Sequence, residues 1–109
     1  MSAPEMNRRL LLEAPERLED GAGGFSEIWV ALGHVWAAVE PRGAGRELDQ
    51  AARMQLKITM RWVLPGAGAR PDAAMRFVDG DRVYRIEAVH EGDTQGRTLV
   101  CYAVEEVGR

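Results

Sequence analysis

The sequence predicts a mainly β protein: a small antiparallel β-barrel of about five to six strands with one long loop or short helix inserted. Three observations carry this. Met54 to Trp62 alternates strictly between apolar and polar residues. An Asp79-Gly80-Asp81 turn separates two further alternating runs. Strand-like runs follow one another at short intervals with no long helical pattern between them, which favours an antiparallel sheet curled on itself. Closure also removes exposed strand edges.

Met1 to Arg9 is short and polar, and reads as an N-terminal arm. Leu10-Leu11-Leu12-Glu13 opens a strand that Pro15 is expected to end, because proline carries no N–H for a ladder bond. Glu16 to Gly24 then reads as a loop, ending in the turn-forming Gly21-Ala22-Gly23-Gly24. Phe25 to Val30 is the next strand, with a break expected at Gly33-His34. Val35 to Glu40 follows and is stopped by Pro41. Val35, Ala37 and Val39 share one face of it, Trp36 and Ala38 the other. Both faces are largely apolar, so this strand is covered on both sides or lies at a subunit contact.

Residues 41–53 form the longest interruption. Arg42-Gly43-Ala44-Gly45 is loop-like, and Arg46 to Arg53 has the propensity for about two helical turns, marginal for an isolated helix. A loop or short helix that orders against a partner is expected. In the next strand Met54, Leu56, Ile58, Met60 and Trp62 form a dry face, and Gln55, Lys57, Thr59 and Arg61 a wet one. A loop through Pro71-Asp72 leads to Met75 to Val78. The Asp-Gly turn then gives a hairpin into Arg82 to Val89, since glycine supplies the positive φ. A second hairpin loop spans His90 to Arg97. Thr98 to Val104 is the last strand, and residues 105–109 are a polar tail. The whole chain, 1–109, reads as one domain.

With 109 residues, two independent cores do not fit. No apolar run approaches the ~20 residues of a membrane-spanning helix, and Met1 to Arg9 lacks the apolar core of a signal peptide. Single Cys101 excludes an internal disulfide and a cysteine-only zinc site. A net charge of −3 argues against a general nucleic-acid binder.

No catalytic constellation emerges, and no catalytic, metal or cofactor residue is assigned. His34 and His90 stand at strand boundaries outside any ligand motif. Cys101 sits in an apolar strand, where a buried inert thiol is the default. The glycine clusters lack the Gly-Lys-Ser/Thr ending of a phosphate loop and the third glycine of a dinucleotide fingerprint. The acidic runs Glu16/Glu19/Asp20 and Glu105/Glu106 read as solvated charge. Trp29, Trp36, Trp62 and Tyr84 read as barrel or interface anchors, with Trp36 the better interface residue. Arg42, Arg46 and Arg53 stand against Glu47 and Asp49, a local charge of only +1, which sustains weak phosphate contact in one copy and more in a ring.

Several motifs in order resemble a known family. Gly23-Gly24-Phe25, Glu27-Ile28-Trp29 and Val35-Trp36-Ala37-Ala38-Val39-Glu40-Pro41 are similar to the front half of phage head-tail joining proteins. Gly45-Arg46-Glu47-Leu48 matches the element that follows. Met75-Arg76-Phe77, Gly80 to Val89 and the closing strand into Glu105-Glu106 resemble the back half. The similarity covers about residues 8–107.

This family is the head-closure, or stopper, protein of long-tailed phages and gene transfer agents. The resemblance implies a small β-barrel with a long loop between its second and third main strands, projecting toward the channel. It implies a homo-oligomeric ring of six or twelve copies below the portal or adaptor ring. That ring closes the channel on packaged double-stranded DNA and docks a tail terminator or tail tube. The site is the head–tail interface of a particle assembled in the bacterial cytoplasm, without a membrane or cofactor. On this reading Arg42, Arg46, Glu47, Leu48 and Arg53 form the channel- or partner-facing loop. The Gly66 to Asp72 connection departs from the family by its extra glycine and alanine. A structural ring subunit needs no acid–base pair. It needs a rigid closed sheet, exposed apolar positions and loops that order on assembly. The alternatives are a small single-strand nucleic-acid-binding barrel, disfavoured by the acidic balance, and a small hydrolase, which lacks a nucleophile–base pair.

Overall fold

A computed structural model describes residues 5–44, 54–61 and 70–106. Six strands follow in chain order: β1 (Arg8–Glu19), β2 (Phe25–Ala44), β3 (Met54–Arg61), β4 (Arg76–Asp79), β5 (Arg82–Glu91) and β6 (Thr98–Glu105). All neighbours are antiparallel, and the sheet closes on itself in the order β1-β2-β3-β6-β5-β4, with β4 returning to β1. The all-β expectation holds, and the described residues contain no helix. The short helix considered for residues 46–53 lies outside the described residues, as do Trp62 and most of the 62–72 connection.

The interior is filled. Leu10, Ile58, Met60, Phe77, Tyr84, Ile86, Leu99 and Cys101 are all at most 1% exposed. They come from five strands at alternate positions, as period-two burial requires. Full burial of each large apolar side chain is worth about 1.5–3 kcal/mol. The alternation read in β3 puts Leu56, Ile58 and Met60 inside, but Met54 is 40% exposed at the strand's start. Thr59, expected on the wet face, is only 5% exposed, and its Oγ1 has no hydrogen-bond partner among the described residues.

Three punctuation marks in the sequence do not end strands. Pro15 lies inside β1, opposite Trp29. Past Glu13, β1 has a partner strand on one side only among the described residues, the edge condition in which a missing N–H is tolerated. Gly33 is a bulge: Leu12 pairs with Gly33 and Glu13 with Ala31, leaving Leu32 as the extra residue. Gly33 adopts φ 142°, which L side chains rarely take, so the strand bends there without stopping. Pro41 adjoins a second register shift, between Pro41 and Gly43, and β2 continues to Ala44. Residues 41–44 of the expected 41–53 interruption therefore belong to β2, Arg42 among them, and residues 45–53 lie outside the described residues.

The expected loop from Glu16 to Gly24 is mostly strand. Glu16 pairs with Ile28, Arg17 with Glu27, Leu18 with Ser26 and Glu19 with Phe25. Only residues 20–24 turn. There Asp20 Oδ1 accepts the N–H groups of Ala22 and Gly24 at 2.8 and 3.0 Å. Those donors hold the Asp20 carboxyl below its ordinary value. Both hairpin expectations hold: Gly80 takes φ 63° between β4 and β5, and residues 92–97 join β5 to β6.

Candidate assembly surfaces

Strand directions sort the connections onto two ends of the barrel. β2, β4 and β6 run one way and β1, β3 and β5 the other. At one end lie the start of β1, the exit and return of the chain at Ala44 and Met54, the Asp79-Gly80-Asp81 turn and the end of β6. At the other lie the β1–β2 turn and the 92–97 loop. The central excursion and the β1–β2 turn thus leave from opposite ends.

The excursion end is braced by ion pairs. Arg8 pairs with Asp79, which also accepts the Tyr84 hydroxyl at 3.3 Å. Arg82 holds Glu105 through two hydrogen bonds of 2.8 Å. This guanidinium keeps the Glu105 carboxyl below its ordinary value, and the carboxylate in turn pushes Arg82 up. Burial pushes the Tyr84 phenol up. Of the residues assigned to the partner loop, Arg42 stacks on Tyr102, its guanidinium carbon 4.5 Å from the ring centre. Arg46, Glu47, Leu48 and Arg53 lie outside the described residues.

At the opposite end the sheet runs on as a two-stranded ribbon, residues 14–30. Among the described residues, β4 accompanies β1 only from Leu11 to Glu13, and β3 accompanies β2 only from Ala37 onward. The paired segments 14–19 and 25–30 extend roughly 20 Å past those contacts. The ribbon is strapped at its root by Arg76. Its Nε lies 2.8 Å from Glu13 Oε1, and its guanidinium carbon 4.1 Å from the Trp29 ring centre. Trp29 is therefore a half-buried ribbon-root residue. Farther out, Leu18 is 44%, Phe25 54% and Ile28 40% exposed. Arg17 covers one face of Phe25. A hollow of about 250 Å³ at the tip is lined by Glu19, Gly21, Gly23, Gly24 and Phe25.

A third surface lies on the outer wall. Trp36 is 59% exposed, the most exposed large apolar side chain among those described. Arg9 is its register partner on β1, and Arg61 stands beside it at the end of β3, next to the Ala37–Met60 pair. Arg9 Nη2 is 3.3 Å from His34 Nδ1. Neither Arg9 nor Arg61 has an ion-pair partner among the described residues. The sequence reading singled out Trp36 but missed these two arginines and the ribbon. Their signal was register: only strand pairing puts positions 9, 36 and 61 side by side.

Burial pushes the Cys101 thiol up to about 12, so it is no nucleophile at neutral pH. Tyr84, the remaining anchor residue, is fully buried in the core. Among the described residues no three His, Cys, Asp or Glu side chains are grouped to hold a metal. No helix there is long and apolar enough to cross a membrane.

The chain matches a family described as phage head completion protein over residues 1–106. It also matches a chain in the solved virion of a native gene transfer agent particle. Identity is 38%, coverage is 97% of this chain and 100% of that one, and the TM-score is 0.80. No curated protein sequence matches.

Proposed function

The chain belongs to the phage head completion protein family, and from that premise we propose that it is the stopper ring subunit of a phage or gene transfer agent particle. Its coarser role, a structural component of such a particle, follows from the family itself and from the similarity to a virion chain. The finer reading is a ring of six or twelve copies between the portal or adaptor ring and the tail. That ring retains packaged double-stranded DNA and offers a docking face to the tail terminator or tail tube.

The observation that carries this reading is the match to a virion chain over its full length, at 38% identity and a TM-score of 0.80. The packing is consistent with it. Tyr84, Phe77 and Met60 plug the barrel interior, so nothing the width of DNA passes through one subunit. A channel has to form between copies, which a ring provides. The start of β1, the end of β6 and the points where the chain leaves β2 and enters β3 share one end of the barrel, an arrangement in which arms and loop would reach the same neighbouring ring. Arg42, Arg46 and Arg53, repeated around such a ring, would set a belt of positive charge against DNA phosphates. Glu47 and Leu48 would meet protein. Trp29, Trp36, Trp62 and Tyr84 would anchor the barrel or its contacts.

The test is replacement of residues 46–51 by a short glycine-serine turn, and Arg46→Ala alone, in a particle-producing strain. Filled heads that leak DNA or lack tails are expected. Normal yields of tailed, DNA-retaining particles from the loop replacement would refute the channel-closing role.

A further inference from the structure

Among the described residues, the β1–β2 ribbon has no flanking strand within its own subunit. An isolated two-stranded ribbon is marginal in water, and this one carries Leu18, Phe25 and Ile28 at 40–54% exposure. Leu18 and Ile28 lie on the face that continues the barrel interior, flanked by Glu16. Between residues 14 and 30 stand four carboxylates, Glu16, Glu19, Asp20 and Glu27, against Arg17 alone, a net charge of −3. The outer wall has the opposite character: Trp36 at 59% exposure between Arg9 and Arg61.

The geometry points to a second copy of this chain as the occupant: the acidic, apolar ribbon of one subunit docks across the Arg9–Trp36–Arg61 wall of the next. The inference rests on the ring reading above and names its subunit contact. The two surfaces differ in sign and in place, so the contact is not self-complementary. A contact of that kind propagates head to tail and yields a ring when the rotation closes. A ribbon cannot reach the wall at its own root, because it leaves the barrel in the direction of the same strands. Trp36 is the residue type that concentrates binding energy once water is excluded around it. The opposed charges would set orientation and encounter more than affinity.

Two experiments on the full chain test this. In the first, Ser26→Cys on the ribbon is combined with Arg61→Cys or Arg9→Cys on the wall. Cells producing particles are oxidised, and whole lysates and purified particles are run on non-reducing gels. Cys101 is buried and stays silent. A ladder of linked copies is expected from at least one double variant and from neither single variant. A ladder in lysates with the chain absent from particles leaves the docking intact and refutes the stopper reading. Chain present at the head–tail joint without a ladder from either pair refutes the docking and leaves the stopper reading standing. In the second, E16R/E19R and R9E/R61E are each expected to lower particle yield at least tenfold, and the four substitutions together to restore it. Normal yield from E16R/E19R, with DNA loss confined to R9E/R61E, would assign the wall to DNA and overturn the docking.

Discussion

β1 and β2 pass through two environments. Within the barrel, Leu10 and Leu12 on β1 are at most 2% exposed, and Ala37 on β2 is fully buried. A few residues along the same strands, Leu18 and Ile28 stay at 40% or more. The two strands pair antiparallel in both regions, and both regions carry large apolar side chains. The difference among the described residues is the number of neighbouring strands: two in the barrel, one in the ribbon. Strand formation therefore needs only one partner, whereas burial needs the sheet to curl and close. The barrel is the stable body, and the ribbon is the part whose apolar surface remains available to something else.

The sharpest way to break that distinction is a matched pair of phenylalanines. Phe77→Ala, in the core, should cost about 3–5 kcal/mol in chemical denaturation. Phe25→Ala, on the ribbon, should change it by no more than about 0.5 kcal/mol. Comparable losses would mean that ribbon and barrel unfold as one packed unit.

The joint between the regions comes next. Arg76→Ala removes the Glu13 pair and the cover over Trp29, at a cost of about 1–2 kcal/mol. Amide exchange should quicken across residues 14–30 while core amides of β3 and β6 keep their protection. Uniform acceleration would show that Arg76 braces the barrel instead.

A smaller contrast lies in the turns. Gly80→Ala forces an L residue to φ 63° between two barrel strands and should lower global stability by about 1 kcal/mol. Gly21→Ala imposes a similar strain at φ 80°. That strain is relieved by local opening of the ribbon tip, so little of it should reach the global transition.

The smallest effect is in acid. The Arg82 partner depresses the folded-state Glu105 carboxyl below its ordinary value of 4.5. Its contribution is fully present above that value and is lost as pH falls through the folded one. E105Q should therefore flatten the acid limb of the stability curve, with no gain at neutral pH. The Asp20 carboxyl, also depressed but at the ribbon tip, should titrate with the same sign and be visible only as local exchange near residues 20–24.

Much of the barrel is legible from local pattern. The β3 alternation, the Asp79-Gly80-Asp81 turn and the 92–97 loop are each encoded by residues adjacent in sequence, so their signals survive without tertiary knowledge. The motif series around Trp36, Arg46 and Tyr84 likewise pointed to the family that the comparisons show. Pro15, Gly33 and Pro41 misled because each is a strand breaker only when both edges of its strand are paired in regular register. Pro15 is at an edge, and Gly33 and Pro41 adjoin bulges. Glu16-Arg17-Leu18-Glu19 reads as loop because its faces bury nothing, although its backbone is fully paired with residues 25–28.

The amino-acid order alone determined which side chains share a face and where the chain turns back, because those properties repeat every two residues or depend on a glycine's φ. The tertiary structure decided which of those faces become interior. Among the described residues it paired β4 with β1 only through Glu13 and β3 with β2 only from Ala37, with Leu18, Phe25 and Ile28 exposed, and its register brought Arg9 and Arg61 beside Trp36 from positions far apart in the chain. Burial and adjacency are set by the closing order of the six strands, which no local stretch contains.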